Sequence, residues 1–64
     1  MAKIVRQNLG HYCYAWRKGN RVPFLGLISY NVNMKAIIVN QLNGQQVAIA
    51  EEEIAGIWRA AHEW

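Results

Sequence analysis

Hydrophobic and polar positions alternate through most of the chain, and turn residues interrupt the alternation at short intervals. Residues 3–8 alternate weakly and read as an edge strand, with Leu9-Gly10 as the turn that follows. Residues 11–17 are dense in aromatic side chains, which favour strands. Lys18-Gly19-Asn20 supplies a tight turn, because Gly and Asn tolerate positive φ. Residues 21–30 form a second long run. Pro23 has no N–H to give a ladder, so it belongs at a strand start or an edge. Gly26, in mid-run, predicts a bulge or sharp bend. Asn31-Val32-Asn33 reads as a turn. Residues 35–42 and 45–50 flank Asn43-Gly44, the strongest short hairpin signal in the chain.

From Glu51 the period changes. Ile54, Ile57, Trp58 and Ala61 fall at i, i+3, i+4 and i+7, and Trp64 extends the stripe. That spacing predicts a helix over about residues 51–63. Glu51, Glu52 and Glu53 would sit at its positive dipole end. Gly56 and the lack of a Ser, Thr, Asp or Asn cap weaken such a helix. The whole, residues 1–64, reads as one small domain, mostly β with one C-terminal α-helix. Its four to five antiparallel strands form a small curled sheet or barrel. In strand economy it resembles SH3-like and Sm-like barrels, a likeness of shape that no motif carries.

Composition narrows the ways such a chain is held together. At 64 residues it buries only about 60% of its unfolded surface, so stability is marginal without help. Cys13 is the single cysteine, which excludes an internal disulfide. An aromatic core or a homo-oligomer remains as the route, and an apolar fraction of 53% with three tryptophans suits both. The opening residues show no apolar signal segment, and no apolar run is long enough to span a bilayer. A lone thiol without a signal places the protein in the cytoplasm, away from membranes.

Charge is distributed unevenly. Residues 1–50 hold Lys3, Arg6, Arg17, Lys18, Arg21 and Lys35 and no acid, a charge of +6. Residues 51–64 hold Glu51, Glu52, Glu53 and Glu63 against Arg59, a charge of −3. The net +3 therefore balances a basic body against an acidic end. Such a body points to an anionic partner or a self-complementary assembly.

Candidate chemistry is of the binding kind. On a strand over residues 11–17, Tyr12, Tyr14 and Trp16 share one face, while His11, Cys13, Ala15 and Arg17 share the other. Tyr12 and Tyr14 are candidates for stacking on nucleic-acid bases, with Arg17, Lys18 and Arg21 holding phosphates. Arg6 and Lys35 extend the patch if the sheet order brings them near. Against this stands the simpler reading, in which the rings are core and the basic turn is a solvated tip. His11, Cys13 and His62 give three metal ligands at best, fewer than a structural zinc site needs. Three consecutive glutamates fan out on a helix and cannot converge on one cation. No catalytic motif, phosphate loop or dinucleotide fingerprint is present.

The chain therefore reads as a small non-enzymatic binding module, without cofactor or metal. Its first expected partner is nucleic acid, RNA or DNA, engaged by a basic aromatic hairpin. The alternative is a protein-interaction module or small regulator that binds a partner protein through Glu51, Glu52, Glu53, Trp58 and Trp64.

Overall fold

The computed structural model describes residues 1–60. It is mostly β. A short helix, α1 (Lys3–Asn8), precedes four consecutive strands, β1 (Tyr12–Arg17), β2 (Phe24–Asn31), β3 (Ala36–Asn40) and β4 (Gln46–Ala50). A single 3-10 turn, Glu51–Glu53, leads into β5 (Ile54–Arg59). All pairings are antiparallel, in the order β4-β3-β2-β1-β5. β4 and β5 are thus the two edges, and the sheet is not closed.

Two expectations are corrected. Residues 3–8 form a helix, so the short helix of this fold is N-terminal. Residues 54–59 form a strand, so the expected C-terminal helix over 51–63 is absent through residue 59. Ala61, Trp64 and the end of that expected helix lie outside the described residues.

A bulge explains the second error. Trp16 pairs with Gly56 but Arg17 pairs with Ile54, so Ala55 has no opposite number. One extra residue lets Ile54 and Ile57, three apart, both pack against the core. A spacing of three is also a helical spacing, and the bulge imitates it. Gly56, poor in a helix, is required in this strand: a Cβ there would lie 2.5 Å from Cζ2 of Trp16.

The first error has a long-range cause. Val5 is fully buried and Leu9, one helical turn on, packs on the same core. Arg59 on β5 then satisfies the end of α1. Its Nε donates to Asn8 Oδ1 at 3.1 Å, and its guanidinium donates to the Gln7 carbonyl at 2.6 Å. Asn8 in turn donates its amide to the Ile4 carbonyl at 2.6 Å. Of the carbonyls that a six-residue helix leaves open, that of Gln7 is closed by Arg59 from β5 and that of Ile4 by Asn8 within the helix.

The inner face of the sheet carries Cys13, Ala15, Ile28, Ile37, Val39, Ile49 and Ile57. Gly26 belongs to this packing. No bulge occurs there, because Cys13↔Gly26 and its neighbours keep an even register. The residue has to be glycine because a Cβ would lie 2.5 Å from the Asn40 carbonyl oxygen. The sheet curls enough that Arg17 of β1 donates to the Ala48 carbonyl of β4 at 2.8 Å, although two strands separate them in the sheet.

The expected turns fall where Gly and Asn placed them. Gly10, Gly19 and Gly44 all have positive φ. Asn31 accepts the Met34 amide and Asn43 accepts the Gln45 amide, both through side-chain oxygens, as turn asparagines do. Among the described residues no helix is long and apolar enough to cross a membrane.

Glu51 fastens the 3-10 turn to the body. It accepts the Tyr30 hydroxyl at 2.8 Å and also accepts the Ala2 amide. These bonds hold its carboxyl below the usual 4.5, the Tyr30 bond most strongly. The same bond raises the Tyr30 phenol above its usual 10. A depressed carboxylate contributes stability above its unfolded pKa, and that stability is lost as pH falls through the folded value. A raised phenol contributes below its unfolded pKa and loses the contribution as pH rises through the folded one. Chemical denaturation of Glu51→Gln across pH should therefore show a shallower acid limb below about 4.5 than the parent. An unchanged acid limb would mean that the Tyr30–Glu51 bond does not form in solution.

Candidate functional site

Alternation along β1 divides its side chains cleanly. Cys13 and Ala15 are fully buried, while Tyr14 is 39% exposed, with Tyr12 and Trp16 half-buried beside it. The small residues are the core and the aromatic face looks outward. Residues paired directly across antiparallel strands share a face. Tyr14 is paired with Leu25 of β2 on one side and Trp58 of β5 on the other. Tyr12 is paired with Leu27.

The result is a two-row outer patch, Leu25–Tyr14–Trp58 and Leu27–Tyr12, with Trp16 continuing β1 beyond it. Trp58 is 70% exposed and Leu27 is 46% exposed. Cross-strand partners on one face stand about 4.5–5.5 Å apart, so Tyr14 and Trp58 are neighbours. Beyond Leu27 the outer face turns to neutral amides. Gln46 donates to Asn40 at 2.8 Å, and Asn40 donates to the Leu27 carbonyl at 2.9 Å.

Trp16 lies over Gly56 and leads towards the β1–β2 turn. There Trp16, Asn20, Arg21 and Pro23 line an open groove of about 480 Å³. A larger depression of about 660 Å³ lies on β2, β3 and β4, under the 32–35 turn. Its only titratable side chain is Tyr30, whose hydroxyl is already donated to Glu51. The smaller groove, with its cation and its aromatic wall, is the better equipped of the two.

The cations named from sequence sit on four different parts of the fold. Lys18 and Arg21 are exposed at the β1–β2 turn. Arg17, by contrast, points inward. Besides its bond to Ala48, its guanidinium carbon stands 5.6 Å from the centre of the Phe24 ring. Lys35 is exposed in the β2–β3 turn, and Arg6 is exposed on α1, which packs on β5.

The acidic turn sits among these cations rather than apart from them. The Lys18 amide donates to the Glu53 carbonyl at 2.9 Å, and the Glu51 amide donates to the Lys35 carbonyl at 2.9 Å. Glu52 and Glu53 are exposed, whereas Glu51 is held by Tyr30 and Ala2. Trp58 is on the outer face of β5, and Trp64 lies outside the described residues. Trp58, expected to act with Glu51, Glu52 and Glu53, is paired with Tyr14 on the outer face. The signal that joins Trp58 to Tyr14 is strand pairing between residues 44 positions apart, which no local pattern reveals.

Cys13 is buried, and burial pushes its thiol up against a weaker pull down from Arg59. A raised, enclosed thiol is a poor nucleophile. Among the described residues no three of His, Cys, Asp and Glu converge as metal ligands.

Arg17→Ala should act on stability rather than on any phosphate contact. A hydrogen bond from a charged group contributes about 1.5–3 kcal/mol. Denaturation should show a loss in that range, and the salt dependence of ligand binding should stay as in the parent. A flatter salt dependence with unchanged stability would return Arg17 to the binding surface.

Comparison with protein-family models, with curated proteins and with solved structures gave no match.

Proposed function

We propose that the protein is a small non-enzymatic module that binds single-stranded nucleic acid on the outer face of β1, β2 and β5. The observation that carries this reading is the Tyr14–Trp58 pair. Two aromatic residues are paired across β1 and β5 on the outer face of the sheet, one of them 70% exposed. Core packing does not need an exposed indole. Bases without a pairing partner stack on such rings, and duplex bases do not. Lys18 and Arg21 at the adjoining turn supply charge for the backbone. Tyr12 lies in the neighbouring row as a further platform.

Three further elements belong to the proposal. We read the architecture as an open form of the SH3-like or Sm-like small barrel. Its support is the four-strand meander with a fifth strand returned to β1 through a 3-10 turn. We read the chemistry as non-enzymatic because Glu51 is tied to Tyr30, the Cys13 thiol is buried, and among the described residues no three of His, Cys, Asp and Glu converge as metal ligands. The buried, unpaired thiol suits the cytoplasm.

A second reading is supported by Leu25 and Leu27. They make the exposed patch more apolar, and exposed apolar patches mark protein interaction sites. In that reading the same face takes a partner protein or a second copy of the chain.

Titration of labelled oligonucleotides at about 50 and 200 mM salt separates the two, since phosphate contacts weaken steeply over that range. Single strands should bind, more weakly at the higher salt, and a duplex of the same sequence should bind less well. Absence of binding at the lower salt would remove nucleic acid and leave the protein-partner reading.

A further inference from the structure

We infer that the groove beside the β1–β2 turn is a subsite for one nucleotide unit, with its base on Trp16 and Pro23 and its phosphate on Arg21. This rests on the nucleic-acid reading and assigns a separate place within it. The groove is lined by Trp16, Asn20, Arg21 and Pro23. Its walls are an indole and a proline ring, which suit a flat apolar ligand face. Its side chains bring N–H donors. Arg21 has only N–H groups to give, and the Trp16 ring nitrogen is a donor alone. The Asn20 side-chain oxygen accepts the Val22 amide at 3.0 Å, and its NH2 is a further donor. No carboxylate lines the groove.

A planar wall with donors and a cation calls for a planar ligand that is rich in acceptors and negatively charged. A nucleotide meets all three conditions. A nucleoside lacks the charge, and inorganic phosphate lacks the ring. The wall also rests on β5. Trp16 lies so close to Gly56 that a Cβ there would meet its ring at 2.5 Å. Gly56 thus acts as a positioning residue that leaves room for the Trp16 wall.

The test is a pair of NMR titrations of the indole N–H resonances, assigned with Trp16→Phe and Trp58→Phe. A nucleoside monophosphate should move the Trp16 resonance at concentrations where the matching nucleoside moves it far less. Arg21→Gln alters an exposed turn residue and should abolish that difference without unfolding the chain. With a single-stranded oligonucleotide, Arg21→Gln should lower the slope of log affinity against log salt by about 0.7, the value for one phosphate contact. If the oligonucleotide moves Trp58 while neither ligand moves Trp16 and the slope is unchanged, the subsite is wrong and the wider reading stands. If the oligonucleotide moves no indole at all, both are wrong.

Discussion

Replacing Trp58 with alanine should weaken single-stranded nucleic-acid binding by about tenfold to a hundredfold while leaving the fold intact. Stacking of one base on one aromatic side chain is worth roughly 1–3 kcal/mol by alanine substitution, and about 1.4 kcal/mol is tenfold in affinity. Trp58 is 70% exposed, so its ring contributes little to the core. Exposed substitutions commonly stay within about 0.5 kcal/mol of the parent in stability. Tyr14→Ala should behave in the same direction. Because the two rings are paired neighbours, the double variant should lose less than the sum of the single losses. Phenylalanine at residue 58 should restore most of the affinity, since it keeps a face for stacking. Unchanged oligonucleotide affinity in Trp58→Ala, with the melting curve also unchanged, would disconnect the aromatic pair from the function.

The largest effect on stability is expected at Gly26. Its missing side chain faces β3, where a Cβ would stand 2.5 Å from the Asn40 carbonyl oxygen and 2.7 Å from its carbon. Those atoms are backbone, so relief requires β2 and β3 to separate. Overpacking of a well-filled interior costs about 1–3 kcal/mol. A clash against the backbone belongs at the upper end of that range. For a chain of this size the total is on the order of 3–10 kcal/mol. Gly26→Ala should therefore lower the melting temperature by roughly 10–20 °C. Gly56→Ala should cost less, because the obstacle there is the ring of Trp16, which can shift. Equal losses at the two positions, measured by thermal melts, would mean that β2 and β3 are less closely packed than described.

Much of the strand pattern is legible in the sequence. Asn43-Gly44, Gly19 and Asn31 mark turns whose chemistry is local, and each falls at a turn. The division of residues 11–17 into two faces is also local, because strand alternation follows from covalent geometry. Which face is buried is not local. The core is small, and it takes Cys13 and Ala15 at the centre of the sheet while leaving Tyr14 outside.

The helix errors have the same origin. Ile54 and Ile57 imitate a helical spacing only because Ala55 is bulged out, and the bulge depends on pairing with β1. Lys3–Asn8 is helical with Arg59 bonded to its last turn, a contact spanning more than fifty residues. The candidate site shares this limit. Tyr12 and Tyr14 were visible as one face of a strand, whereas the Tyr14–Trp58 pair exists only once β5 returns to β1. The split between a basic body and an acidic end also dissolves in three dimensions, since Glu51 and Glu53 bond to the backbone of Lys35 and Lys18.

The most direct test of the central claim is chemical-shift mapping of the amide and indole signals with a single-stranded oligonucleotide at low salt. Shifts should concentrate at Tyr12, Tyr14, Leu25, Leu27 and Trp58, on the outer face, with Glu51 and the inner-face residues unmoved. Shifts confined to α1 or to the 32–35 turn, or no shifts at all, would contradict it.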